Sequence, residues 1–137
     1  MADPIVKMIA VSNVFSRLMH FENAGDVEIG HCHNYDHATL VSSGAVCYEV
    51  LDGKDGNTVA SKKVIAPNFV FVDKNKYHRL VALEPNTVCA CIHALRTVDG
   101  DLIDPACLIE PFEGQPAELR DTILDRTGID MKNFCAK

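Results

Sequence analysis

Three histidines, His31, His33 and His37, fall close together in the stretch GDVEIGHCHNYDHATLVSSG, residues 25–44. On a β-strand, residues two apart point to the same face, about 6.6 Å from each other along the chain. His31 and His33 would then present two imidazoles side by side, with Cys32 pointing away. His37 follows Asn34-Tyr35-Asp36, a turn-forming triplet, and can swing back over the same face. A neutral imidazole offers a nitrogen lone pair suited to Zn, Fe, Mn, Ni or Cu. A lone histidine is ordinarily satisfied by one hydrogen bond. Three converging on one strand pair would repel if protonated, and a bound metal gives them a reason to stay neutral together.

The elements needed to position them are short and β-like. Apolar, β-forming runs fall at residues 5–11, 14–22, 27–33, 38–41, 45–51, 58–66, 69–73, 77–83 and 87–95. Turn formers punctuate them: Ser42-Ser43-Gly44, the run Asp52-Gly53-Lys54-Asp55-Gly56-Asn57, Pro67-Asn68 and Glu84-Pro85-Asn86. Many short, evenly spaced strands predict an all-β sandwich or barrel. Residues 97–114 read as an extended, turn-rich arm. Pro116, Leu119, Ile123, Leu124 and Gly128 predict a short amphipathic helix over about 117–126.

With 137 residues, the expectation is one domain, 1–137, with the barrel over about 14–96 and the arm and helix over 97–137. A net charge of −6 and a pI near 5.4 argue against nucleic acid or an anionic membrane as the main partner. No apolar run is long enough to span a bilayer, and no secretory signal is recognised, so a cytoplasmic location is expected. Reduced thiols fit that expectation. Cys89 and Cys91 share a strand face, where bridging is awkward, and read as small buried hydrophobes.

The pattern Gly25-x5-His31-x-His33-x3-His37-x6-Gly44 resembles the first motif of the cupin superfamily, G-x5-H-x-H-x3,4-E-x6-G. The single departure is His37, where that family usually has glutamate. The second motif, G-x5-P-x-G-x2-H-x3-N, is matched loosely around Asp73-Lys74-Asn75-Lys76-Tyr77-His78. His78 takes the ligand position. Asn75 stands at the turn glycine, a workable exchange because Asn tolerates a left-handed backbone. The resemblance implies a cupin-type antiparallel β-barrel (jelly roll). It also implies a metal inside one open end, held by His31, His33, His37 and His78.

Four neutral imidazoles would leave a divalent charge uncompensated, which favours a small anionic organic ligand. A six-coordinate ion would keep two open positions, whereas four-coordinate zinc would be closed. Mn, Fe, Ni or Zn are candidates, with Mn or Fe favoured. His93 alternates with Cys91 and Cys89 on the last barrel strand and is a candidate catalytic acid or base beside the cavity. Tyr48 is the second catalytic candidate, since either it or Glu49 must face inward. Arg17 and Arg79 could steer an anion, although exposure is the ordinary state of an arginine, and His20 reads as a surface residue.

The resemblance implies a metal-dependent cupin enzyme, and most simply a dioxygenase-like oxidoreductase, since cupins with mostly histidine sites include oxygenases; that fits a cavity in which few acids or bases stand out. A lyase or isomerase is the alternative. Cupins that cleave dimethylsulfoniopropionate use a tyrosine shortly after the glutamate ligand, whereas Ala38-Thr39-Leu40 follows His37 here. A non-catalytic sensing barrel is the third reading. No basic recognition helix accompanies the barrel, which disfavours a regulator. A homodimer is expected, with Leu102, Ile103, Leu108, Ile109 and Phe112 as apolar contact surface.

Overall fold

The computed structural model describes residues 2–11, 14–31 and 36–94, together with 112–113, 121 and 125. Its strands are β1 (Ile5–Val11), β2 (Val14–Phe21), β3 (Val27–His31), β4 (His37–Ser43), β5 (Ala45–Leu51), β6 (Thr58–Ile65), β7 (Asn68–Val72), β8 (Tyr77–Ala82), β9 (Thr87–Ala94) and β10 (Phe112–Glu113). They form two antiparallel sheets, ordered β10-β1-β2-β9-β4-β7 and β3-β8-β5-β6. The expected strands are all present; the expected ends of β3 and β9 lie outside the described residues, and the other ends agree to within a residue or two. The largest difference is β4, which runs through Ser42 and Ser43, so the turn falls at Gly44 itself.

The core lies between the sheets. Met19, Phe21, Val41, Val72 and Cys89 from the larger sheet meet Val46, Val64, Leu80 and Ala82 from the smaller one. The alternation that builds this is direct: on β2 Phe15, Met19 and Phe21 are buried, and on β8 His78, Leu80 and Ala82. Phe21 has no exposed surface, and truncating such a side chain to Ala costs about 3–5 kcal/mol.

Two motif glycines have backbone reasons. Gly25 and Gly44 adopt φ of +91° and +77°. Gly44 also packs its backbone against Thr87, leaving no space for a side chain. Asn75, expected to replace a turn glycine, has φ of 59° and does so. The arm is recorded at β10, which extends the larger sheet by pairing Ala10 with Phe112 and Ile9 with Glu113. Within the expected helix, Asp121 and Asp125 are described; both are helical and exposed, and the rest lies outside the described residues.

Candidate metal centre

Strand β4 starts at His37 and places it on the inner face with Thr39 and Val41, all three buried. Strand β8 places His78 on the inner face of the opposite sheet. The two rings meet across the barrel, with centroids 6.2 Å apart and planes inclined at 66°. His31, whose backbone ends β3, is registered directly opposite His78. His33 lies outside the described residues. Of the four histidines expected to hold a metal, the structure therefore brings His37 and His78 together and places His31 in the neighbouring register. Among the described residues, no group of three or more His, Cys, Asp or Glu side chains is poised around a common metal position.

The hydrogen bonds of these histidines bear on whether they fit a metal. His78 Nδ1 lies 3.1 Å from the Lys76 carbonyl. His37 Nδ1 lies 3.2 Å from the Ala38 carbonyl and 3.4 Å from Thr39 Oγ1. His93 Nδ1 lies 3.0 Å from the Asp36 carbonyl. A ring that donates its Nδ1–H to a carbonyl carries its lone pair on Nε2. This is the usual way a metal-binding histidine is oriented and fixed in one tautomer. With the proton on Nδ1, the donor chemistry of His37 and His78 would fit a divalent transition metal. His93 is buried on β9, and its bond to the residue before His37 ties it to the same end of the barrel.

Tyr48, not Glu49, faces inward. It is buried, and its ring centroid lies 6.0 Å from that of His78. Burial, and secondarily the charge of Asp73, push its hydroxyl above the ordinary tyrosine range. Glu49 points outward, where Thr58 Oγ1 donates to its carboxylate at 2.7 Å and Arg79 Nη2 at 2.9 Å. Those two bonds hold its carboxyl below the usual value. Arg79 is thereby engaged on the outer face of the smaller sheet and is not part of the cavity. His20 lies 3.3 Å from the Asn86 side chain and is not among the buried histidines.

Arg17 and Glu28 were not expected in the interior. Arg17 Nη1 donates to Glu28 Oε1, and these side chains are only 23% and 10% exposed. Glu28 lines a small cavity with Met19, Thr39, Val72, His78, Leu80 and Cys91. Its volume of about 10 Å³ gives room for about one water centre. Desolvation pushes the Glu28 carboxyl up, and the Arg17 charge pulls it partly back. Along the backbone Glu28 pairs with Leu80 and His31 with His78, so three steps on β3 match two on β8, an irregularity of the ladder. A glutamate three before the first motif histidine was the available signal.

Burial pushes the Cys89 thiol up to about 12 and the Cys91 thiol up to about 11. Cys47, Cys89 and Cys91 are free thiols; of the β9 pair read as small buried hydrophobes, Cys89 is buried and Cys91 half-buried.

No family model matches the chain, and no curated protein matches it. Solved structures do. KdgF from a Halomonas species superposes with a TM-score of 0.52 at 22% identity, over 69% of this chain and 80% of that one. An uncharacterized conserved protein with a double-stranded β-helix domain from Klebsiella pneumoniae gives 0.55 at 17%, over 74% and 76%. An RmlC-like cupin family protein with a double-stranded β-helix fold from Methanocaldococcus jannaschii gives 0.54 at 12%, over 69% and 83%. The chain thus has the all-β, cupin-type double-stranded β-helix fold.

Proposed function

We propose that this chain is a metal-dependent enzyme acting on a small anionic organic molecule, and that its reaction is a dioxygenase-type oxidation. The observation that carries this is the set of buried imidazoles on β4, β8 and β9, each with Nδ1 against a backbone carbonyl. His31, His33, His37 and His78 would hold the metal, which would supply Lewis acidity and open coordination positions when bound. His37 in place of a glutamate leaves the charge of the ion to be balanced by the substrate. Around the cavity, Met19, Val72 and Leu80 supply an apolar lining. His93 and Tyr48, both buried, would hold or pass a proton.

One observation favours a second reading, the lyase or isomerase. Glu28 places a carboxylate with a raised pKa in the cavity, a proton acceptor that the sequence did not advertise. Oxygen dependence separates the two. The protein is purified without a chelator or histidine tag, assayed for metal, loaded with Fe(II) or Mn(II), and given a panel of enolisable dicarbonyl and catechol-like anions. Metal-dependent oxygen uptake that vanishes in His78→Ala supports the oxidation. Equal turnover in anaerobic buffer transfers the assignment to the second reading. Zinc alone, four-coordinate and without exchangeable water, removes both.

A further inference from the structure

His37 and His78 meet although their strands do not pair. Strand β4 belongs to the larger sheet and β8 to the smaller one, so no ladder between them sets the separation of the rings. The link is the chain itself. His37 is registered against Val72, the last residue of β7, and residues 73–76 then carry the chain across to β8 and His78. The shape of that short turn governs where the His78 ring lies relative to His37. Asn75 supplies its left-handed step, with φ of 59°. Lys76 supplies the carbonyl that lies 3.1 Å from His78 Nδ1.

One side chain fastens this turn to β4. The Lys74 N–H donates to Asp36 Oδ1 at 2.7 Å, and Asp36 immediately precedes His37. The Asp36 carbonyl lies 3.0 Å from Nδ1 of buried His93, which anchors the same residue to β9. Asp36 is thus the point where the start of β4, the turn before β8 and His93 are tied together. A backbone amide bonded to an ionised carboxylate is stronger than a neutral pair. A further side-chain contact of the turn, Lys76 Nζ to Asp73 at 3.2 Å, joins two well exposed groups and holds little. Asp36 is itself exposed, so replacing it leaves the core packing intact.

We propose that Asp36 is a positioning residue of the candidate metal centre: by holding the Lys74 N–H it fixes the turn, and with it the spacing of His37 and His78. The inference rests on the metal-dependent reading above and adds to that site a residue outside its donor set. Asp36 acts through the backbone, so its loss loosens the pair of imidazoles without removing either one. Donors that are loosely held must be ordered when an ion binds, and that ordering lowers affinity.

The test is titration with cobalt(II), read by calorimetry for affinity and by visible absorption for coordination geometry. Asp36→Ala should lower the affinity on the order of tenfold and alter the absorption bands. Asp36→Asn, whose amide oxygen still accepts from Lys74, should restore both. Lys74→Pro removes the donor while suiting the first central position of the turn, and should reproduce Asp36→Ala. Lys74→Ala keeps the N–H and should match the wild type. Because one bond is lost in either case, Asp36→Ala and Lys74→Pro combined should cost no more than each alone. Should Asp36→Ala fail to fold, Lys74→Pro carries the test. Wild-type affinity and bands in Asp36→Ala overturn the proposal. So does Asp36→Asn behaving like Asp36→Ala, which would assign the effect to charge. If wild type binds no cobalt, the metal reading fails separately, and the positioning role is read in metal-free protein by nuclear magnetic resonance. A nuclear Overhauser contact between the His37 and His78 rings should then be lost in Asp36→Ala and kept in Asp36→Asn, and its persistence in Asp36→Ala overturns the proposal.

Discussion

His37 decides the charge of the candidate metal centre, because a glutamate there would neutralise half of a divalent ion and an imidazole neutralises none of it. Truncating His37 or His78 to Ala should lower metal affinity by about tenfold or more, read by elemental analysis after dialysis. Full occupancy in a His37→Ala/His78→Ala variant would refute the site. Neutral imidazole is the binding form, so occupancy in the wild type should fall steeply below about pH 6.5. Retention of the metal down to about pH 4 would point to carboxylate or thiolate donors. A separate residue governs acid stability. Asp26 accepts the backbone N–H of Asn23 at 2.9 Å and of Ala2 at 3.1 Å, and these bonds lower its pKa. A carboxyl lowered in the fold stabilises the protein above its unfolded value of about 3.9 and ceases to do so as pH falls through its folded value. Denaturant titrations in that range should show wild type losing stability with acid, and Asp26→Asn losing less. Parallel acid limbs would show that these bonds do not contribute.

Gly44 matters through the elements it shapes. A Cβ at Gly44 would stand 2.9 Å from the Thr87 Cα, on a backbone with φ of +77°. Gly44→Ala should therefore cost about 1–3 kcal/mol in urea denaturation. A loss below about 0.5 kcal/mol would mean that the turn re-forms with another geometry. Most strands were legible in the sequence because each is a short run of β-forming residues bounded by turn formers; the inward face of Arg17 on β2 was not. Asn75 and Gly44 were legible because left-handed backbone demands particular residue types. Glu28 was not, since a carboxylate is ordinarily exposed and its burial follows from pairing with buried Leu80 across the sheet. The inward turn of Tyr48 over Glu49 was left open by the sequence. It follows from register with β8, where Tyr48 meets buried Leu80 and Glu49 meets Arg79. The imidazole cluster was half legible: spacing pointed to His37, whereas the 6.2 Å approach of His37 and His78 comes from strands in different sheets.

For the whole molecule, self-association is the open expectation. The apolar residues first assigned to it, apart from the backbone of Phe112 in β10, lie outside the described residues. The structure adds Phe69 and Phe71 on edge strand β7, 55% and 61% exposed, and Ile5 on β1 at 57%. Light scattering should give twice the chain mass, and Phe69→Ser/Phe71→Ser should shift the protein toward monomer. Monomer alone at micromolar concentration would end the homodimer reading. The thiols of β9 lead elsewhere, to kinetics. The Cys89 thiol, pushed up to about 12 and without exposed surface, reacts as thiolate only when water reaches it, so its alkylation rate counts openings of the barrel. Cys89, with no exposed surface, would time the larger openings. Cys91, partly exposed, lines the cavity with Glu28 and His78 and would report on the cavity itself. With the other cysteines changed to serine, the two rates should differ. Any molecule that fills the cavity should slow Cys91 more than Cys89, so the protein carries its own occupancy clock for ligands not yet identified.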